Sequence, residues 1–264
     1  MPGSSWPRHT APLRSVVDKC QPGTFKVTCR QATGPPLKGP TTMKIIELKE
    51  SVLEDNNKDA QSLRDRLKAQ KTCLLNLMSG PGSGKTTTLL ALNKYFKGRI
   101  TWGAMEADID SDVDARTIQN AGIPSVQLHT GGMCHLDADM TRQGLRALFE
   151  STDQHLDLVV LENIGNLVCP AEFDTGAAIK MTILSVPEGD DKPAKYPLMY
   201  EECDIMAVNK IDTLPVFDFD KEKAEQYAKY RNPDIRIFYI SARTDEGIEA
   251  LAEEIITRVQ DWNA

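Results

Sequence analysis

Short apolar strands alternating with amphipathic helices predict an α/β chain built on a doubly wound, mostly parallel sheet flanked by helices. Three observations carry this expectation. The runs at residues 73–78, 156–161 and 205–209 are apolar at nearly every position, as strands covered on both faces must be. Helical patterns separate most of these runs. The last of them places Ile248, Leu251, Ile255, Val259 and Trp262 at spacings of three and four, a single stripe that fits against a sheet.

In chain order, Asp55 is expected to cap a helix running to about residue 70. A buried strand at 73–78 follows and ends in Ser79-Gly80-Pro81-Gly82, and a helix then spans 85–96. Further strands are expected at 100–106, 125–128, 156–161, 179–186, 205–209 and 236–240. Ligands of such a sheet bind at the carboxyl ends of its strands.

The bulk composition narrows the function. The chain has 264 residues, 41% of them apolar, enough to bury a sizeable core. No run approaches the roughly 18 apolar residues that span a bilayer, so a membrane role has no support. A net charge of -7 argues against nucleic acid as a partner. Six widely spaced cysteines do not form the dense framework of a small secreted domain and are read as reduced thiols in a cytoplasm. Residues 1–42 differ from the rest, holding seven of the fifteen prolines and six Lys/Arg against Asp18 alone. That net +5 leaves -12 on residues 43–264. The stretch is expected to be a disordered extension; its acid-poor composition superficially resembles a transit peptide, while Met43 opens a plausible start of its own.

Strand, glycine-rich turn and then Gly84-Lys85-Thr86 opening a helix is the setting of a phosphate-binding loop. The turn formed by Gly80, Pro81, Gly82, Ser83 and Gly84 and the helix start face phosphate oxygens, with Thr87 beside them. Lys85 adds charge on the terminal phosphates and Thr86 can ligate Mg²⁺. Ser79 stands where the usual first glycine would be. Four further pieces fall where a P-loop NTPase G-domain needs them. Glu162 ends a strand and can hold Mg²⁺ through water, and the amide of Gly165 can sense the γ-phosphate. Asn209, Lys210 and Asp212 follow the strand at 205–209, and an aspartate there accepts from guanine groups that adenine lacks, so GTP is preferred over ATP. Ser241, Ala242 and Arg243 offer backbone donors to the guanine oxygen. Asp108, with Asp112 close behind, lies near either the Mg²⁺ or the attacking water. Lys85, Asp108, Glu162 and Gly165 are therefore the expected catalytic set.

Two segments go beyond a generic G-domain. Cys134 and His135 are adjacent in a glycine-flexed loop, and Cys169 follows Gly165 by four residues. Singly these are more often core residues than ligands, but together on two loops at one sheet edge they suit Zn²⁺ or Ni²⁺, a square-planar arrangement favouring nickel.

The chain resembles the hydrogenase nickel-incorporation GTPases, the HypB family, over nearly all of residues 43–264. The resemblance rests on Met-Lys-Ile-Ile-Glu at 43, Ser-Gly-Pro-Gly-Ser-Gly-Lys-Thr at 79, Thr-Gly-Gly-Met-Cys-His-Leu-Asp-Ala at 130, Glu-Asn-Ile-Gly-Asn-Leu-Val-Cys-Pro-Ala at 162 and Glu-Gly-Asp-Asp-Lys-Pro at 188. It implies a GTP-dependent homodimer whose metal site, matching Cys134, His135 and Cys169, lies at the subunit interface. It further implies nickel delivery to the [NiFe] hydrogenase large subunit precursor, alongside a small nickel-binding maturation partner. A serine at position 79 is common in the family. The N-terminal Cys-x-x-Cys-Gly-Cys motif or histidine-rich tract of many members is lacking, and Cys20 and Cys29 do not reproduce the spacing. Cys73 and Cys203 are expected in the core. Lys192 and Lys195 either reach across to a partner's nucleotide or sit on an exposed loop. The competing readings are a urease-type GTPase, whose Cys-Pro-His arrangement is absent, a GTPase serving cobalamin enzymes, for which the metal triad has no purpose, and a switch module in which zinc only staples the loops.

Overall fold

The computed structural model describes residues 48–108 and 113–264; the expected extension at 1–42 and Asp112 lie outside the described residues. Their seven strands are β1 Cys73–Ser79, β2 Trp102–Asp108, β3 Ser125–His129, β4 Leu158–Glu162, β5 Ile179–Ser185, β6 Ile205–Asn209 and β7 Arg236–Tyr239. They form one sheet in the order β3-β2-β4-β1-β5-β6-β7, every pairing parallel. β1 is central and buried along its whole length. The chain leaves β4 and crosses β1 to begin β5, so the strand order reverses around the turn that follows β1, where open α/β sheets bind ligands.

Helices cover both faces, with α3 Val113–Asn120 following β2 and the short α5 Cys169–Glu172 following β4 in the chain. On one, α2 Lys85–Phe96 and α9 Ile248–Asn263 pack together, burying Leu89, Leu92 and Phe96 with Leu251, Ile255 and Val259. The stripe read from the sequence is the buried face of α9, and its last member, Trp262, donates from Nε1 to the Thr72 carbonyl at 3.0 Å. Each fully buried aliphatic side chain of this kind contributes about 1.5–3 kcal/mol. On the other face lie α1 Leu48–Ala69 and α4 Ala138–Glu150, and farther along α7 Pro197–Glu202 and α8 Lys221–Arg231. Asp137 caps α4 by accepting from the Met140 N–H at 2.8 Å, and Asp220 caps α8 by accepting from Lys223 N–H at 2.9 Å. Cys73 and Cys203 are fully buried, and burial pushes the Cys73 thiol up to about 12 and that of Cys203 higher still. Among the described residues no helix is long and apolar enough to cross a membrane.

Several element ends differ from expectation. Helix α1 is not capped at Asp55 but begins by Leu48, because no Gly or Pro interrupts this stretch; Asp55 instead pairs with Lys58 one turn on. β2 starts at Trp102 rather than residue 100, since the Ile100 N–H is spent on the Phe96 carbonyl closing α2, and it runs on to Asp108. β4 starts and ends later than expected, at Leu158 and Glu162. β5 stops at Ser185 because Val186–Glu188 winds into a 3-10 turn capped reciprocally by Ser185 and Glu188. Two short helices, α6 Lys192–Lys195 and α7, are each opened by a proline and were not foreseen.

Candidate nucleotide and metal site

The register levels Leu77 of β1, Glu162 of β4 and Glu106 of β2, so the loops after these strands emerge side by side. The turn after β1 needs glycine for two different reasons. Gly82 and Gly84 adopt φ of 74° and 97°, which other residues resist. At Gly84 a Cβ would also lie 2.6 Å from Asn209 Nδ2. Gly80 is buried with Glu188 Oε1 where its Cβ would be. Ser79 is accommodated because Ser83 Oγ donates to its hydroxyl at 2.6 Å and that hydroxyl donates to the Gly80 carbonyl at 2.8 Å.

Lys85 and Thr86 open α2 and converge on Glu162. Thr86 Oγ1 donates to the Glu162 carboxylate at 3.2 Å, and Lys85 Nζ is 3.8 Å from the same Oε1. The Glu162 and Thr86 oxygens are hard donors of the type Mg²⁺ takes. Thr87 is exposed on the outer side of α2, and Asp108, half-buried at the end of β2, is level with His129. Gly165 has an ordinary φ but little room for a side chain: a Cβ would lie 3.1 Å from Pro81 Cα.

At the end of β6 Asn209 laces that strand to the turn after β1, donating to the Ser83 carbonyl at 2.9 Å, while Lys210 Nζ donates to the Gly82 carbonyl at 2.6 Å. Asp212 accepts from Ser241 Oγ at 2.7 Å, which fixes the aspartate. Two of the expected backbone donors are engaged within the protein: Ser241 N–H donates to the Glu246 carbonyl and Ala242 N–H to Asn209 Oδ1. Arg243 is exposed beside them.

The thiols of Cys134 and Cys169 meet, their sulfurs 3.0 Å apart, and His135 Nδ1 lies 3.8 Å from the Cys134 sulfur. The hydrogen bond with Cys169 raises the Cys134 thiol above its ordinary value, and burial lowers the His135 imidazole. The His135 ring stacks on Phe173, centroids 3.7 Å apart. Soft sulfur and imidazole donors suit Ni²⁺ or Zn²⁺. Among the described residues no three His, Cys, Asp or Glu side chains gather closely enough to hold a metal by themselves. Lys192 and Lys195 lie on α6, where Lys195 pairs with Asp191.

A family model for the CobW/HypB/UreG nucleotide-binding domain matches residues 74–239. The hydrogenase maturation factor HypB of Azotobacter vinelandii is 43% identical over 210 residues, which cover 80% of this chain and 68% of that protein. The chain belongs to the HypB family. Its fold is similar to that of HypB from Helicobacter pylori, solved in complex with nickel, at a TM-score of 0.75 and 32% identity over 78% of this chain and 96% of that one. HypB from Archaeoglobus fulgidus gives 0.72 and 31%, covering 78% and 100%.

Four residues of this HypB-family site escaped the sequence reading. Phe173 orients His135 from 38 positions away, with no spacing signal. Glu188 supports Gly80. Asn166 joins the two thiol loops, accepting from Val168 N–H at 2.8 Å and reaching the Cys134 carbonyl at 3.5 Å. Asn163 is wholly buried beside Glu162 and bonded to Asn76.

Proposed function

We propose that this chain is a GTP-hydrolysing metallochaperone that binds nickel, or zinc, through Cys134, His135 and Cys169 and assists nickel insertion into the large subunit precursor of a [NiFe] hydrogenase. One observation carries the reading: a single eight-residue segment runs from Glu162, in contact with Thr86 and Lys85, past Gly165 against Pro81, to Cys169 in contact with Cys134. The site that handles phosphate and the site that handles metal are two ends of one piece of backbone.

The phosphate turn and the start of α2 hold the triphosphate, and Lys85 neutralises its terminal charge. Mg²⁺, held by Thr86 and Glu162, supplies further charge neutralisation when bound. Asp212, held by Ser241, accepts from guanine. Water attacks the γ-phosphorus in line, GDP is the leaving group, and Asp108 is placed at the strand end to orient the nucleophile. Loss of the γ-phosphate removes the partner of the Gly165 N–H, and the segment carries that change to Cys169. Three donors per chain fall short of a four-coordinate site, so a GTP-dependent homodimer that doubles the set closes it. A small nickel-binding maturation protein is the expected partner and the cytoplasm the expected location. Residues 1–42 supply none of these groups.

The test is to titrate Ni²⁺ into wild type and Cys169→Ala, each loaded with GDP or a non-hydrolysable GTP analogue, while following dimer fraction by sedimentation. Wild-type nickel affinity should differ between nucleotide states by roughly 5- to 150-fold, and Cys169→Ala should lose the difference. Equal affinities with an unchanged dimer fraction would overturn the proposal.

A further inference from the structure

Asn76 lies in the middle of β1 and is 2% exposed, beside Leu161 in strand register. An amide there is costly unless paired, and a leucine would satisfy the core equally well. Its Oδ1 accepts from Asn163 Nδ2 at 3.1 Å. Asn163 Oδ1 in turn accepts from the Ile164 N–H at 2.9 Å, and the Asn163 N–H donates to the Leu77 carbonyl at 2.9 Å. The Ile164 N–H settles which end of the Asn163 amide is oxygen, so its nitrogen must face Asn76. The backbone just after Glu162 is thereby tied to β1 from both main chain and side chain.

These bonds sit between the three parts of the segment that bear on function. Glu162 precedes them, Gly165 follows against Pro81, and Asn166 then bridges to the Cys134 loop. A segment anchored at Ile164 passes a displacement of Gly165 onward, whereas an unanchored one absorbs it as local slack.

Resting on the nucleotide and metal reading above, we infer that Asn76 is a positioning residue: through Asn163 it fixes the root of the 162–169 segment, so that the state of the γ-phosphate is transmitted to Cys169. Asn76 touches neither nucleotide nor metal. Its removal should therefore change coupling and turnover while sparing GDP affinity.

The experiment compares wild type with Asn76→Leu, Asn76→Ser and Asn76→Asp as full chains, measuring GDP affinity, kcat and KM for GTP, and Ni²⁺ affinity in the GDP and GTP-analogue states. Leucine keeps the volume and loses the acceptor; serine is too short to reach Asn163 and carries the test should the leucine variant not fold. Both should bind GDP within about threefold of wild type, lower kcat about tenfold with little change in KM, and bring the ratio of the two nickel affinities close to unity. Asp keeps an acceptor oxygen and should restore the ratio. A purely structural role would lower the melting temperature and leave the ratio intact. If folded Leu and Ser variants retain the wild-type kcat and ratio, the inference is overturned while the nucleotide and metal reading stands; if wild type itself shows no nucleotide-dependent ratio, both fall.

Discussion

Replacing Gly165 by alanine tests the contact between the turn after β1 and the 162–169 segment with one methyl group. The backbone at Gly165 has no positive φ, so alanine brings no conformational strain there. The new Cβ would lie 3.1 Å from Pro81 Cα and 3.2 Å from both Pro81 Cβ and Pro81 N. Carbon atoms rest at about 3.5–4.0 Å, so relief needs a displacement of roughly half an ångström. Pro81 cannot rotate out of the way, because the contacts include its backbone; the segment carrying Gly165 must move instead. Overpacking of this kind costs about 1–3 kcal/mol, and in a domain of this size lowers Tm by about 2–4 °C per kcal/mol. Turnover should suffer more. A misplacement of about 1 Å can cost roughly 100-fold, so half of that predicts a kcat about tenfold down, near 1.4 kcal/mol in the barrier. GDP does not engage the Gly165 amide in the proposed mechanism, and its affinity should stay within about threefold. Phosphate release under single-turnover conditions and fluorescent-GDP binding read the two quantities separately. An unchanged kcat in a variant whose Tm has fallen would refute the idea that this contact positions the γ-phosphate sensor.

Four further outcomes are expected. Lys85→Ala should largely abolish GTP turnover in a phosphate-release assay, since Lys85 is the side-chain charge placed beside Glu162 at the start of α2. Asp212→Asn should weaken GTP and improve xanthosine triphosphate, whose 2-oxo group accepts where guanine donates; competition binding with both nucleotides checks it, and undiminished GTP affinity would remove the guanine assignment. A chain beginning at Met43 should keep full turnover and Ni²⁺ binding, read by the same assays and by a melting curve. Oxidised glutathione should join Cys134 and Cys169 by two successive exchanges, releasing reduced glutathione, because their sulfurs are already in contact. Loss of these two thiols to a thiol reagent should accompany loss of Ni²⁺ binding, and dithiothreitol should reverse both.

What was readable in the sequence is what is encoded locally. The glycine turn after β1, the carboxylate ending β4 and the aspartate after β6 are each placed by ten residues or fewer, because the strand, turn and helix around them are contiguous. The two thiol loops were readable for the same reason, each following its own strand to the same sheet edge, whereas the contact between their sulfurs is supplied by the fold. Contacts between distant positions were not. Asn76 and Asn163 look like loop formers, and only folding turns them into a buried pair. Phe173 gives no sign that it covers His135. Glu188 reads as one acid in a charged loop, yet its carboxylate accepts from Ser185 and rests against Gly80. The start of α1 was misjudged because an aspartate inside a helix and an aspartate capping one are the same letter.

The packing around the turn after β1 also limits how this sequence can drift. Position 79 tolerates serine because Ser83 and the Gly80 carbonyl absorb its hydroxyl. Position 84 has no such freedom while Asn209 stands 2.6 Å from where a methyl group would go, and Asn209 is itself committed to Ser83, Lys210 and Ala242. Shrinking Asn209 would not free position 84, because its φ of 97° still disfavours any residue but glycine. The first glycine of the loop can therefore wander among descendants of this chain, whereas Gly84 is held twice, by its own backbone and by a side chain 125 residues away.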